Sequence, residues 1–178
     1  MSKLVHVAKW AAVLRGITIG AMVVLPVTII GGLITTPLVP EALNSGLGDI
    51  TVSPNATRAQ LITVVALNLI SPLILFLTLN EMRKLFGAYV DGQVLTEASA
   101  RLIQSIGQGF LALAAVPFFI KPVQSVLLTL ANPPGERSLA VGLDSDMIFF
   151  ALSGGLIVVI GWAMREASDV AAENKSFV

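Results

Sequence analysis

Four stretches of the sequence run for about 20 residues almost without charge, the length an α-helix needs to cross the hydrocarbon of a bilayer. They cover residues 16–36, 61–79, 107–131 and 147–164. Inside hydrocarbon every backbone N–H and C=O must find its partner within the protein, so apolar runs of this length fold as helices. The composition agrees: 55% of the 178 residues are hydrophobic, 12% are charged and the mean hydropathy is +0.86. A soluble domain carries about 25% charged residues. The expected fold class is all-α, a four-transmembrane-helix bundle forming one membrane domain over residues 1–178. The first run follows Lys3, Lys9 and Arg15, as a secretory signal would. Its apolar part exceeds the roughly 7–15 residues of a signal core, and no A-x-A site closes it. It reads as a retained span.

Lys and Arg near the span ends set the orientation. Lys3, Lys9, Arg15, Arg83, Lys84, Arg101, Arg165 and Lys175 fall on one side, against Arg58 and Arg137 on the other and Lys121 near the end of the third span. Both termini are therefore expected in the cytoplasm of a multi-pass protein of the bacterial inner membrane. Trp10 and Trp162 fit the cytoplasmic interface, where indoles concentrate. The outer connections, "PLVPEALNSGLGDITVSPNATR" and "NPPGERSLAVGLDSD", are rich in turn residues. The sequon Asn55-Ala-Thr57 is not expected to carry sugar.

Between the second and third spans lies a different kind of segment, "VDGQVLTEASARLIQSIGQ". Asp91-Gly92 reads as a turn, Thr96 as an N-cap, and Glu97 and Arg101 as an i,i+4 pair. Leu95, Ala98, Leu102 and Ile106 form its apolar face. Residues 80–106 are thus expected to be an amphipathic cytoplasmic elbow, and residues 165–178 a cytoplasmic tail with Arg165 and Asp169 paired. Partner contacts are expected at Arg83, Lys84, Glu97, Arg101, Arg165, Glu166 and Asp169.

Within the spans, Pro26, Pro72, Pro117 and Pro122 each remove a backbone hydrogen bond and tend to kink a helix. Gly16 and Gly20, Ser105 and Gly109, and Ala151 and Gly155 are small-xxx-small pairs, which let helix backbones approach. They are expected to mark packing within the bundle ahead of a dimer face. Lys121 is the candidate intramembrane polar contact. A Lys at a helix centre costs about 2.5–3.5 kcal/mol on insertion scales, so it either serves a function or snorkels outward with Asp144 or Asp146 as counter-ion. Pro122 offers a way for the helix to end early and leave Lys121 shallow.

No catalytic constellation is present: no G-x-S-x-G, no Walker loop, no H-E-x-x-H and no paired intramembrane Asp. There is no Cys, and His6 is the only His. Neither an enzyme activity, a cofactor nor a metal is expected. With 11 acids against 11 bases, no basic nucleic-acid footprint stands out.

The second half resembles a family of small bacterial membrane proteins, domain of unknown function 2975, over residues 77–178. The resemblance rests on Glu81-Met-Arg-Lys-Leu-Phe86, on Gly92, Thr96 and Leu102 of a hinge motif, on Gly107, and on the polar tail from Arg165-Glu166 through Glu173-Asn174 to Val178. Val94 or Leu95 stands where the family has Phe, and Ala98-Ser99 where it has Asn. The resemblance implies a four-helix membrane protein with cytoplasmic termini and no established enzyme activity. Some relatives lie beside genes for small helix-turn-helix regulators. The expected function is a non-catalytic accessory or adaptor subunit that binds membrane lipids and another membrane protein or large membrane complex. The alternative is a membrane-bound regulator signalling through a cytoplasmic partner. A small transporter or lipid-handling protein comes last.

Overall fold

The structure, a computed structural model, describes residues 2–43 and 53–176. Among these the regular elements are all helical. They are α1 (Ser2–Thr35), a 3-10 turn (Pro40–Leu43), α2 (Arg58–Asn68), α3 (Ile70–Val90), α4 (Glu97–Thr129) and α5 (Ser145–Ser176). Four stretches are long and apolar enough to cross a membrane: Val5–Thr35, Arg58–Val90 (α2 and α3 together), Glu97–Thr129 and Ser145–Val170. The expected turns over 44–52 and the tail residues 177–178 lie outside the described residues.

The helices are longer than the apolar runs, because flanking polar sequence continues the same turns. α1 begins at Ser2 and α5 runs to Ser176. α2 starts in a capping box that the sequence spells as Thr57-Arg-Ala-Gln60. The Thr57 N–H donates to Gln60 Oε1 at 2.7 Å and the Gln60 N–H to Thr57 Oγ1 at 3.3 Å. Pro72 cannot donate to the carbonyl of Asn68, and the ladder breaks there, at Leu69. Pro26, Pro117 and Pro122 interrupt nothing on that scale: each lies inside a continuous helix. In particular, α4 does not end early at Pro122 but continues to Thr129.

The helices form an open row rather than a closed bundle. α3 packs against α1 on one side and α4 on the other, and α5 packs on α4. α1 and α5, the outermost members, do not meet in any substantial contact. Neighbours are antiparallel. Leu85 of α3 packs with Ile103 and Ile106 of α4, and Glu97 at the start of α4 meets Arg165 near the end of α5. The start of α1, the α3–α4 turn and the end of α5 therefore lie at one end, here the turn end. The other end, the loop end, carries the remaining connections.

At the turn end, Gly92 adopts φ 79°, where a side chain would be strained. It lets the Gln93 N–H return to Ala88 O at 2.8 Å and close α3. Thr96 then caps α4, accepting from the Ser99 N–H at 3.2 Å, while Ser99 Oγ donates to Gln93 O at 2.6 Å. Residues 80–106 are thus the tip of a helical hairpin. Its buried side matches the expected one only in part. Ile106 is buried and Leu102 packs against its cluster, but Leu95 is 76% exposed and Ala98 is also exposed, while Ala100, Ile103 and Gly107 are buried instead. Packing on two helices selects the face, and the polar pattern of one helix carries no information about that.

Candidate functional site

Lys121 lies eight residues before the end of α4, about 12 Å along the axis. It does not reach the loop end alone. The connection after α4 folds back along the helix and brings Asp144 onto the Lys121 ammonium. The Ala140 N–H donates to Ser125 Oγ at 2.9 Å, and Thr129 Oγ1 accepts from the Ser138 N–H at 3.2 Å. Lys121 is mostly covered, with 22% of its side chain exposed. Of the two expected counter-ions Asp144 is the one used, and Asp146 is not.

Beside this pair runs a buried polar row on α4: Gln124, Ser125 and Thr129, joined by Asn132 and Ser53. Buried polar atoms need partners, and these have them. Gln124 Nε2 donates to Asn68 Oδ1 at 2.8 Å, tying α4 to α2 at the break above Pro72. The Ser53 N–H caps α4 by donating to Leu128 O at 2.9 Å. Leu61, Val64 and Leu128 pack beneath. The loop end is a satisfied network, and the Lys121 charge is engaged within it.

The small-residue pairs fall differently from expectation. A Cβ built on Gly109 would run into Thr78 Oγ1, so Gly109 seats α3. Ser105, its presumed partner, is exposed. The α4–α5 seam is made by Gly107, Gly154 and Gly161. Cβ atoms there would stand 2.7 Å from Val158 N, 2.8 Å from Leu111 N and 2.9 Å from Gln104 N respectively. Gly155 meets nothing within 4 Å, and Ala151 is half-buried. Gly16 and Gly20 also meet nothing within 4 Å. They face away from α3, which α1 touches through Ala11 and Thr18, its two buried residues among those described.

The turn end gathers the charged residues. Glu97 accepts from Arg101 at 2.6 Å and lies 3.5 Å from Arg165. The hydrogen bond and charge of Arg101 hold the Glu97 carboxyl below its ordinary range. The same bond raises the Arg101 guanidinium. Arg165 thus bridges to α4 instead of pairing with Asp169, because the α4–α5 seam presents Glu97 directly. Lys84 pairs with Glu81 at 2.7 Å, and Arg83 donates to Asn80 Oδ1 through Nε and Nη2 at 3.3 and 3.1 Å. Glu166 and Asp169 are exposed.

One cavity, of about 510 Å³, opens where the end of α1 leaves α2 and α3. Ile29, Leu33, Leu38, Val65, Leu69 and Pro72 line it, with Thr36 and Asn68 as its polar members. The sequence reading missed this cavity, the capping box and the Gln124–Asn68 bond. The box was readable as T-x-x-Q, and the two amides stood out as polar side chains within apolar runs. Comparison of the chain with protein-family models, with curated proteins and with solved structures finds no match.

Proposed function

We propose that this chain is a non-catalytic accessory or adaptor subunit of the bacterial inner membrane, with both termini cytoplasmic, that binds another membrane protein through α1. The observation that carries this reading is the outward face of α1. Gly16, Gly20, Val27 and Gly31 follow helical spacing and share one side, opposite Ala11, Thr18 and Leu25. Cβ atoms built on the glycines of that side would meet nothing within 4 Å among the described residues, and Val27 is 63% exposed. Lipid tails are as apolar as a partner helix, so greasiness does not distinguish them. Small residues do, because they let a second backbone come close and gain dispersion contacts. The resemblance to domain of unknown function 2975, whose members have no established enzyme activity, belongs to the same proposal.

The chain has no Cys, so a single Cys at Gly20 can carry a photo-crosslinker in native membranes. A heterologous adduct is expected, and Gly16→Leu with Gly20→Leu should abolish it. A solitary chain, or an adduct only with a second copy, would defeat the adaptor reading. The regulator reading is favoured by one feature, the continuation of α5 as helix to Ser176. Deleting residues 166–178 should then alter transcription of neighbouring genes, and unchanged transcripts would remove it.

A further inference from the structure

Charge at the turn end is uneven across the row. On α4 and α5, Arg101 and Arg165 share Glu97. On α3, Lys84 has Glu81. Arg15 of α1 and Arg83 of α3 have no carboxylate within ion-pair distance among the described residues. Both belong to the same helix–helix groove. The Arg15 guanidinium lies over Gly87, with Cζ 3.8 Å from where a Cβ would stand. Asn80, Arg83 and Gly87 are spaced i, i+3 and i+7 and share that side of α3. Arg83 spends two N–H groups on Asn80. A guanidinium has five, so three remain for another acceptor.

Two cations set on facing helices without an anion repel each other, and the repulsion grows as the medium becomes less polar. Their level in the membrane supplies the missing charge. Arg15 directly precedes the first apolar run and Arg83 follows the second within four residues. Trp10 on α1 and Trp162 on α5, 67% and 62% exposed, mark the headgroup belt at this end. Lipid phosphates lie at that depth, and guanidinium groups bind phosphate through paired N–H···O bonds. We propose that Arg15 and Arg83 together bind the phosphate of an anionic phospholipid at the α1–α3 groove. This site rests on the chain spanning a membrane and not on the adaptor reading.

Native mass spectrometry of the full chain in mild detergent tests it, with phosphatidylglycerol and phosphatidylcholine supplied at equal concentration. The chain should retain phosphatidylglycerol at least about tenfold over phosphatidylcholine, the scale of one charge-assisted hydrogen bond. Arg15→Gln with Arg83→Gln should erase the preference, and Lys84→Gln should keep it. Circular dichroism checks that helicity is unchanged. If the double variant fails to fold, Arg15→Lys with Arg83→Lys keeps the charge but loses the paired geometry, and should lower retention severalfold. Equal retention of both lipids by the native chain would overturn the proposal. So would an unchanged preference in the folded Gln variant, or in the Lys variant where only that one folds. Displacement of the lipid by millimolar inorganic phosphate would reassign the site to the free anion and overturn the lipid assignment.

Discussion

Replacing Gly107 by Ala tests the α4–α5 seam at its closest backbone contact. The new Cβ would lie 2.7 Å from both Val158 N and Val158 Cγ2, and 2.8 Å from Gly154 O. Carbon contacts settle at about 3.5–4.0 Å, so α5 must retreat by roughly 1 Å. Two of the three obstructing atoms are backbone, and no change of rotamer moves them. Overpacking of this kind costs about 1–3 kcal/mol, offset by about 0.5–1 kcal/mol because Ala suits a helix better than Gly. A net loss of up to about 2.5 kcal/mol follows, as much as about a 70-fold shift toward the unfolded form. Gly155, one residue from Gly154, is the control. It has nothing within 4 Å, so Gly155→Ala keeps only the helix gain. The chain has two Trp, and a Trp10→Phe background leaves Trp162, next to Gly161 in the seam, as the fluorescent probe. Denaturation by sodium dodecyl sulfate from mild detergent, followed through Trp162, gives both stabilities. Equal stability of the two variants, or Gly155→Ala as the weaker, would refute the packing argument.

Gln124→Leu should cost about 0.6–1.7 kcal/mol in the same titration, the range for hydrogen bonds between membrane helices. Adding Asn68→Leu should cost less than the sum of the two single changes. Lys121→Ala should leave membrane insertion intact but loosen the connection it pins, so that trypsin cuts at Arg137 several times faster; Lys121→Asp with Asp144→Lys should restore protection. The lowered Glu97 carboxyl binds its proton less readily in the folded chain than in the unfolded one. Its contribution is complete above the ordinary carboxylate range and is lost as pH falls through the lowered folded value. Melting temperatures of the native chain and of Glu97→Gln should therefore converge in acid, and a constant gap would contradict the pairing.

The number of long apolar helices was legible, though not their full length, because hydrocarbon imposes one requirement on every residue it surrounds. Local features were legible as well: the Thr96 cap, the Glu97–Arg101 pair and the reach of Lys121 to Asp144. Lateral order was not. An apolar side chain is equally at home against lipid or against a helix, so Gly16 and Gly107 look alike in the sequence while one faces outward and the other touches Val158. The same ambiguity hid part of the buried side of the hairpin tip, Ala100 and Ile103. Gln124 and Asn68 are 56 residues apart, and they meet beside the break at Leu69, a tertiary contact that neither local pattern announces.

The open row also sets a timetable. Arg15 lies 72 residues before Gly87, the α3 glycine it covers. At roughly 5–20 residues per second of synthesis, α1 leaves the ribosome about 4–14 s before α3, its one substantial neighbour among the described residues. During that interval both of its faces are unclaimed, and whatever helix is already present can compete for either one. The α3–α4 hairpin waits less: Leu85 precedes Ile103, which it packs against, by 18 residues, about 1–4 s at the same rate. Under the adaptor reading proposed above, α1 would meet its partner while the chain is still being made, before α3 arrives to occupy one side.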